Sequence, residues 1–420
     1  MAMGLFIAGV CSFAFLRVGK SALGGEEAFQ PIQIMWFATF GLAPGFFLPL
    51  EQELGRSLSV RRALGQGGRP IVSRVATLGA VIAGVVSVAV LAAGPWLRNA
   101  FFNGSWVMVV ALAFAIAAYA PAHIARGLCS GSGRFRGYAV VMAADGVIRI
   151  VLCLLLAAAS VSAIGWFGLA VAVAPLPGVL YVASRGDLHT EPGPTAPWSE
   201  VTPNLGWLLL GSVMAAGLVN AGPLAAKLLL SSNDDALVTR FGTGVILARV
   251  PLFLFQAVQA ALLPRLAHQA ARGEMDEFMR GFRRLMQAVF VVGAAGVAGA
   301  FLVGPFAVKV LGSTLSRRTL AVLAVGSVFY MLALAIAQAV IALHGHAWVA
   351  VGWVVGMAGF VVSTWLLGGE ALRRVELGLI IGPGAAMLVF AYALRVRLRA
   401  GVLPDAESVY EALTDMPIEP

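Results

Sequence analysis

The chain has 420 residues, of which 60% are hydrophobic and 12% charged, with a formal net charge of +9. Soluble domains run at roughly 45–50% apolar and about 25% charged. The composition therefore excludes a soluble enzyme, a disordered chain, and a nucleic-acid binder that displays its basicity on a water-facing surface. Three cysteines, Cys11, Cys129 and Cys153, two of them inside apolar runs, do not make a disulfide framework or a cysteine-ligated metal site.

A hydrocarbon core about 30 Å thick takes roughly 20 residues of helix. At about 35 residues per span and connection the chain holds roughly twelve spans. In chain order, the apolar runs predict spans over residues 3–22, 29–50, 71–91, 106–126, 138–158 and 164–183, then over 205–230, 240–263, 285–308, 320–343, 348–367 and 375–395. No small-residue cleavage site followed by a hydrophilic domain comes after the first run, so it reads as a span and not as a removed signal peptide.

Lys and Arg concentrate in alternate connections. One set holds Arg56, Arg61, Arg62 and Arg69, then Arg134 and Arg136, Arg185, then Arg265, Arg272, Arg280, Arg283 and Arg284, and finally Arg397 and Arg399. The other holds Arg98, Lys309, Arg317, Arg318, Arg373 and Arg374. The richer set marks the cytoplasmic side, which puts both termini in the cytoplasm of a multi-pass protein of a bacterial inner membrane. No outer connection reaches about 20 residues, the length of a single span, so no outer domain is expected.

The stretch 185–204 contains Pro192, Pro194, Pro197 and Pro203 and reads as a cytoplasmic linker. It divides the chain into an N-terminal six-helix lobe (1–184) and a C-terminal six-helix lobe (205–399), followed by an acidic tail (400–420). Six spans per half make the two lobes parallel repeats. An echo between APGFFLPLEQELGRSLSVRRALGQG and VPLFLFQAVQAALLPRLAHQAARGE, the second spans of the two halves, fits a repeat. It also fits two inward-facing helix ends with arginines reaching for head groups.

Ionisable groups at bilayer depth are costly and usually face a cavity or a partner. Asp145 and Arg149 are four apart on one helix and can pair, either as a self-neutralised structural pair or as a switchable pair that couples an ion. Arg17, Lys20, Lys227 and Arg249 have no acid within a turn in their own spans. They line a shared wet cavity, or the first three extend to the outer head groups. A cationic cavity suits an anionic ligand such as a phosphate or pyrophosphate head group.

Catalytic signatures are missing. The five histidines show no metal-ligand spacing, and no GxxxxGK[ST] phosphate loop is present. The expected protein is a non-enzyme with no catalytic residue, no metal and no cofactor, apart from a coupling H+ or Na+.

Three segments carry a family resemblance. ARGLCSGSGRFRGYAVVMAADGVIRIVL (125–152), FAFLRVGKSALGGEEAF (13–29) and VPLFLFQAVQAALLPRLAHQAARGEMDEFMRGFRRL (250–285) resemble polysaccharide and lipid-linked-oligosaccharide exporters of the multidrug/oligosaccharidyl-lipid/polysaccharide (MOP, MATE-like) superfamily. The resemblance implies an all-α, two-lobed bundle with a central cavity opening alternately to each side. It implies a flippase that moves a polyprenyl-(pyro)phosphate-linked saccharide from the inner to the outer leaflet for cell-envelope polysaccharide biosynthesis. Arg17 and Lys20 match the position of the phosphate-binding basic residues, and Lys227 and Arg249 fit by location. The expected partners are the lipid-linked glycan, membrane lipids and glycan-assembly enzymes, with no nucleic acid. Two other readings stand beside this one: a multidrug exporter of the same fold, and a polyprenyl-phosphate-dependent membrane glycosyltransferase, for which the outer acidic pair Glu26/Glu27 speaks.

Overall fold

The structure is a computed structural model that describes residues 2–200, 205–252, 255, 269–270 and 272–399. Among them every regular element is helical. In chain order these are α1 (Ala2–Ala22), α2 (Glu26–Ala63), α3 (Arg69–Ala92), α4 (Gly94–Ala100), α5 (Trp106–Gly131), α6 (Phe135–Ala158), α7 (Ile164–Val173), α8 (Leu176–Ser184), α9 (Leu205–Leu229), α10 (Asp235–Ala248), α11 (Met275–Leu302), α12 (Gly304–Val310), α13 (Arg317–Ala342), α14 (His346–Leu366) and α15 (Ala371–Arg399). Among the described residues, ten helices are long and apolar enough to cross a membrane, with α7 and α8 taken together as one. The predicted eighth span (240–263) lies partly, and the acidic tail wholly, outside the described residues.

The apolar runs sit on the predicted helices, and the ends differ for definite reasons. Helix α2 does not stop at the predicted span end but continues to Ala63, because hydropathy reports apolarity and not helix formation. The sixth span is two helices broken at Ala174–Pro175. The ninth breaks at Val303–Gly304, ahead of Pro305. Proline removes a backbone donor and clashes with the preceding turn. Ser105 and Ser316 start α5 and α13 by accepting from the backbone N–H of Met108 and Thr319.

Two compact units form. The first is Met1–Leu205 with Pro223–Gly242 and Leu311–Ser313; the second is Gly206–Gly222, Thr243–Val310 and Thr314–Pro420. They follow the sequence halves except that two segments of the second half cluster with the first.

Within the first unit α5 is central: 67% of its most apolar stretch is buried, against 22% in α3 and α6. It packs on α2 through small residues, the membrane route to close helix approach. A Cβ on Gly127 would fall 2.5 Å from the carbonyl oxygen of Glu51, so only glycine lets the two backbones meet there.

The stretch 185–200 is not a loose tether. Arg61, 3% exposed, places Nε and Nη2 at 2.6 and 2.8 Å from the Glu200 carboxylate and donates from Nη1 to the carbonyls of Pro194 and Gly67. Arg134 donates to the carbonyls of Asp187 and His189. Arg74 lies over the Trp198 ring. A Cβ on Gly67 would sit 2.0 Å from the Pro192 carbonyl oxygen. Arginines that the sequence shows as a topology signal also pin this segment to the first unit.

Candidate functional site

Four polar clusters stand out among the described residues. The first two share α5. Glu51, 5% exposed, accepts from Nε and Nη2 of Arg126 at 3.0 and 2.7 Å, and His123 Nδ1 lies 2.8 Å away. The close approach at Gly127 brings these groups into range. Tyr119, one turn from His123, places its hydroxyl 3.0 Å from both oxygens of Asp145. Nη2 of Arg149 lies 2.6 Å from Asp145 and 3.2 Å from the Tyr119 hydroxyl, and its guanidinium covers the Phe40 ring. Asp145 and Arg149 thus form the expected pair, with Tyr119 as a third member that the sequence did not reveal. Both acids are matched by an arginine, which is what burial of charge demands.

The third cluster lies in the first unit where α1 ends and α2 and α10 begin. Lys20 is 3% exposed, and among the described residues its Nζ has no hydrogen-bond partner. Arg17 is exposed one turn earlier, with its guanidinium over Gly312. Glu26, at the first turn of α2, receives Arg240 Nε at 2.5 Å and the Ser313 hydroxyl, while its carbonyl accepts from Thr239. Lys227 is not without a counter-charge, as its own span had implied. It forms an ion pair with Asp235. The short turn after α9 brings the first residue of α10 back against it, a contact invisible when each span is read alone. Asn103 lies 3.5 Å from the same carboxylate.

The fourth cluster is in the second unit. Arg249, 8% exposed, donates to Asn220 Oδ1 at 2.9 Å, and Asn220 donates on to the Ala216 carbonyl. With Tyr330 and Pro383, Arg249 lines a cavity of about 30 Å³, room for a water and not for a phosphate. Of the predicted site residues, Lys20 lies near Glu26 and Arg17, and Lys227 pairs with Asp235, all in the first unit. Arg249 belongs to the second.

Sequence reasoning missed Tyr119, His123 and Arg126, and missed the partners of Glu26. The available signal was charge parity between helices: α2 carries one embedded acid and α5 one embedded base, and each needs a partner.

Comparison with solved structures decides the architecture. A MATE protein in complex with MaL6 superposes with a TM-score of 0.71 over 96% of this chain and 94% of that one, at 14% identity. The chain has the MATE fold. It is a multi-pass membrane protein, and every regular element among the described residues is helical. Two other solved MATE-fold proteins are similar at 14% identity over 96% of this chain. One is an inward-facing multidrug resistance MATE transporter (TM-score 0.66, 95% of that chain). The other is a MOP superfamily transporter from Pyrococcus furiosus, described as having a binding pocket of reversed polarity that suggests a different function (TM-score 0.68, 94% of that chain). No family model matches the chain. Two uncharacterised proteins of Mycobacterium tuberculosis are similar in sequence. One is 27% identical over 414 residues, covering 92% of this chain and 89% of its own length. The other is 29% identical over 401 residues, covering 88% and 85%.

Proposed function

We propose that this MATE-fold chain is a membrane transporter that flips an anionic polyprenyl-(pyro)phosphate-linked saccharide from the inner to the outer leaflet by alternating access. On this reading it sits in a bacterial inner membrane with both termini in the cytoplasm, serves cell-envelope polysaccharide biosynthesis, and does no covalent chemistry. The observation that carries the reading is Lys20. Its ammonium is buried, has no hydrogen-bond partner among the described residues, and stands near Arg17. Buried polar groups are almost always paired, and a buried ammonium is costly unless an anion joins it. Arg240 is paired with the Glu26 carboxylate, and Lys20 stands near both Glu26 and Arg17, so an added anion improves the balance. Arg249 supplies a second cation to the same kind of ligand when its cavity widens, and Asp145 with Arg149 is the proposed place for ion coupling.

A multidrug exporter of cationic substrates would use unneutralised acids, whereas Glu51 and Asp145 both meet an arginine. The test is translocation in proteoliposomes. A short-chain polyprenyl pyrophosphate saccharide should cross in a protein-dependent manner, and Lys20→Gln should abolish the crossing. Export of a cationic dye, with no movement of the lipid-linked saccharide, would replace this reading with the multidrug one.

A further inference from the structure

Glu26 opens α2 directly after Gly24 and Gly25, both at positive φ, a turn that points the start of α2 back at the end of α1. The carboxylate is 15% exposed, while its partner Arg240 is 41% exposed. Oε2 meets the Arg240 guanidinium and Oε1 takes the Ser313 hydroxyl. The Glu26 carbonyl anchors Thr239, one residue before Arg240. A Cβ on Gly312, next to Ser313, would lie 3.5 Å from Nη1 of Arg17. Glu26 and Arg17 are also the charged neighbours of Lys20. The Arg240 guanidinium and the Ser313 hydroxyl thus hold one carboxylate, with the Lys20 ammonium near it and Arg17 near Lys20. The cations among these would serve a phosphate equally, because guanidinium groups bind both anions through the same charge-assisted hydrogen bonds.

We propose that the Glu26 carboxylate is an internal stand-in for the phosphate of the substrate. It holds the cations while no substrate is bound and is exchanged for the phosphate or pyrophosphate of an incoming anionic lipid. The exposed face of Arg240 is where the exchange starts. The proposal rests on the reading of the chain as a transporter of anionic lipids, and adds a residue that sets affinity by competition. A site open only part of the time shows an apparent affinity reduced by its open fraction. Glu26 therefore keeps the substrate loosely bound, so that it can leave again. Removing the stand-in tightens binding and slows turnover.

The experiment is isothermal titration of the purified full chain in nanodiscs with inorganic pyrophosphate at fixed ionic strength. Glu26→Gln should bind pyrophosphate about tenfold more tightly than wild type. Glu26→Asp, which keeps the charge, should stay close to wild type. Ser313→Ala leaves every charge in place and loosens only the hold on the carboxylate, so it should tighten binding roughly threefold. It carries the test if Glu26→Gln does not fold. Lys20→Gln should weaken binding in either background. If Lys20→Gln weakens binding while Glu26→Gln and Ser313→Ala bind like wild type or worse, Glu26 is only a structural counter-ion and this proposal is wrong while the transport reading stands. If pyrophosphate binds neither wild type nor Glu26→Gln, the anion reading fails and takes the proposal with it.

Discussion

Nε of Arg240 lies 2.5 Å from Oε2 of Glu26, across 214 residues of sequence. With Ser313 on the other oxygen of the same carboxylate, one acid ties three distant stretches of chain. This contact gives a chemical reason why Pro223–Gly242 and Leu311–Ser313 cluster with the first half of the sequence. It also places most of the cations singled out by the sequence at one end of that unit.

Lys20→Met is expected to separate function from stability. Replacing a buried ammonium that has no hydrogen-bond partner among the described residues by an apolar side chain of similar length is neutral or stabilising, so the melting temperature in detergent should hold or rise. Transport in proteoliposomes should fall at least about tenfold, the factor that corresponds to roughly 1.4 kcal/mol. Unchanged transport would remove Lys20 from the substrate site.

Glu51→Gln should be among the most damaging single changes in the first unit. It leaves Arg126 buried without its acid, and breaking one side of a buried pair costs about 3–5 kcal/mol. Changing both partners, as in Glu51→Met with Arg126→Met, should cost less than Glu51→Gln alone. Thermal unfolding of wild type and the two variants checks the order, and a double variant less stable than Glu51→Gln would show that the pair does not act as a unit.

For Asp145 the two roles predict different readouts. If it couples an ion, Asp145→Asn should leave transport insensitive to an imposed H+ or Na+ gradient. If the pair with Arg149 is structural, the variant should lose stability while its residual transport keeps the gradient dependence. Tyr119→Phe keeps the pair and removes one hydrogen bond to it, so it should cost only about 1 kcal/mol and leave the gradient response intact.

Gly67→Ala should release the segment 185–200. Its Cβ would meet the Pro192 carbonyl at 2.0 Å, against backbone that cannot yield without moving the segment. Arg61→Gln should act similarly by removing the bonds to Glu200, Pro194 and Gly67. In both variants limited proteolysis in membranes should cut between Arg185 and Glu200 faster than in wild type. Equal cutting rates would mean that the segment is not held by these contacts.

The apolar runs alone located most of the membrane helices to within a few residues, for example 320–343 against the observed Arg317–Ala342. Hydrophobic length is a local property, and the bilayer sets it directly. The i, i+4 pairing of Asp145 with Arg149 was legible for the same reason, since both partners lie on one helix. The breaks at Pro175 and Pro305 were written in the sequence but could not be told from other prolines in the apolar runs, such as Pro44 and Pro121, which α2 and α5 absorb without ending.

Composition and periodicity by themselves determined that the chain is a bundle of membrane helices with a few charges embedded in it. Which charge meets which was decided only by the tertiary structure. Lys227 finds Asp235 across a turn, Glu51 finds Arg126 on another helix, and Glu26 finds Arg240 from the other half of the chain. A charge at bilayer depth is costly until it is neutralised, and the partner can come from any helix the packing brings within about 4 Å, the reach of an ion pair. That choice rests on close approaches such as the one at Gly127 and not on spacing along the sequence.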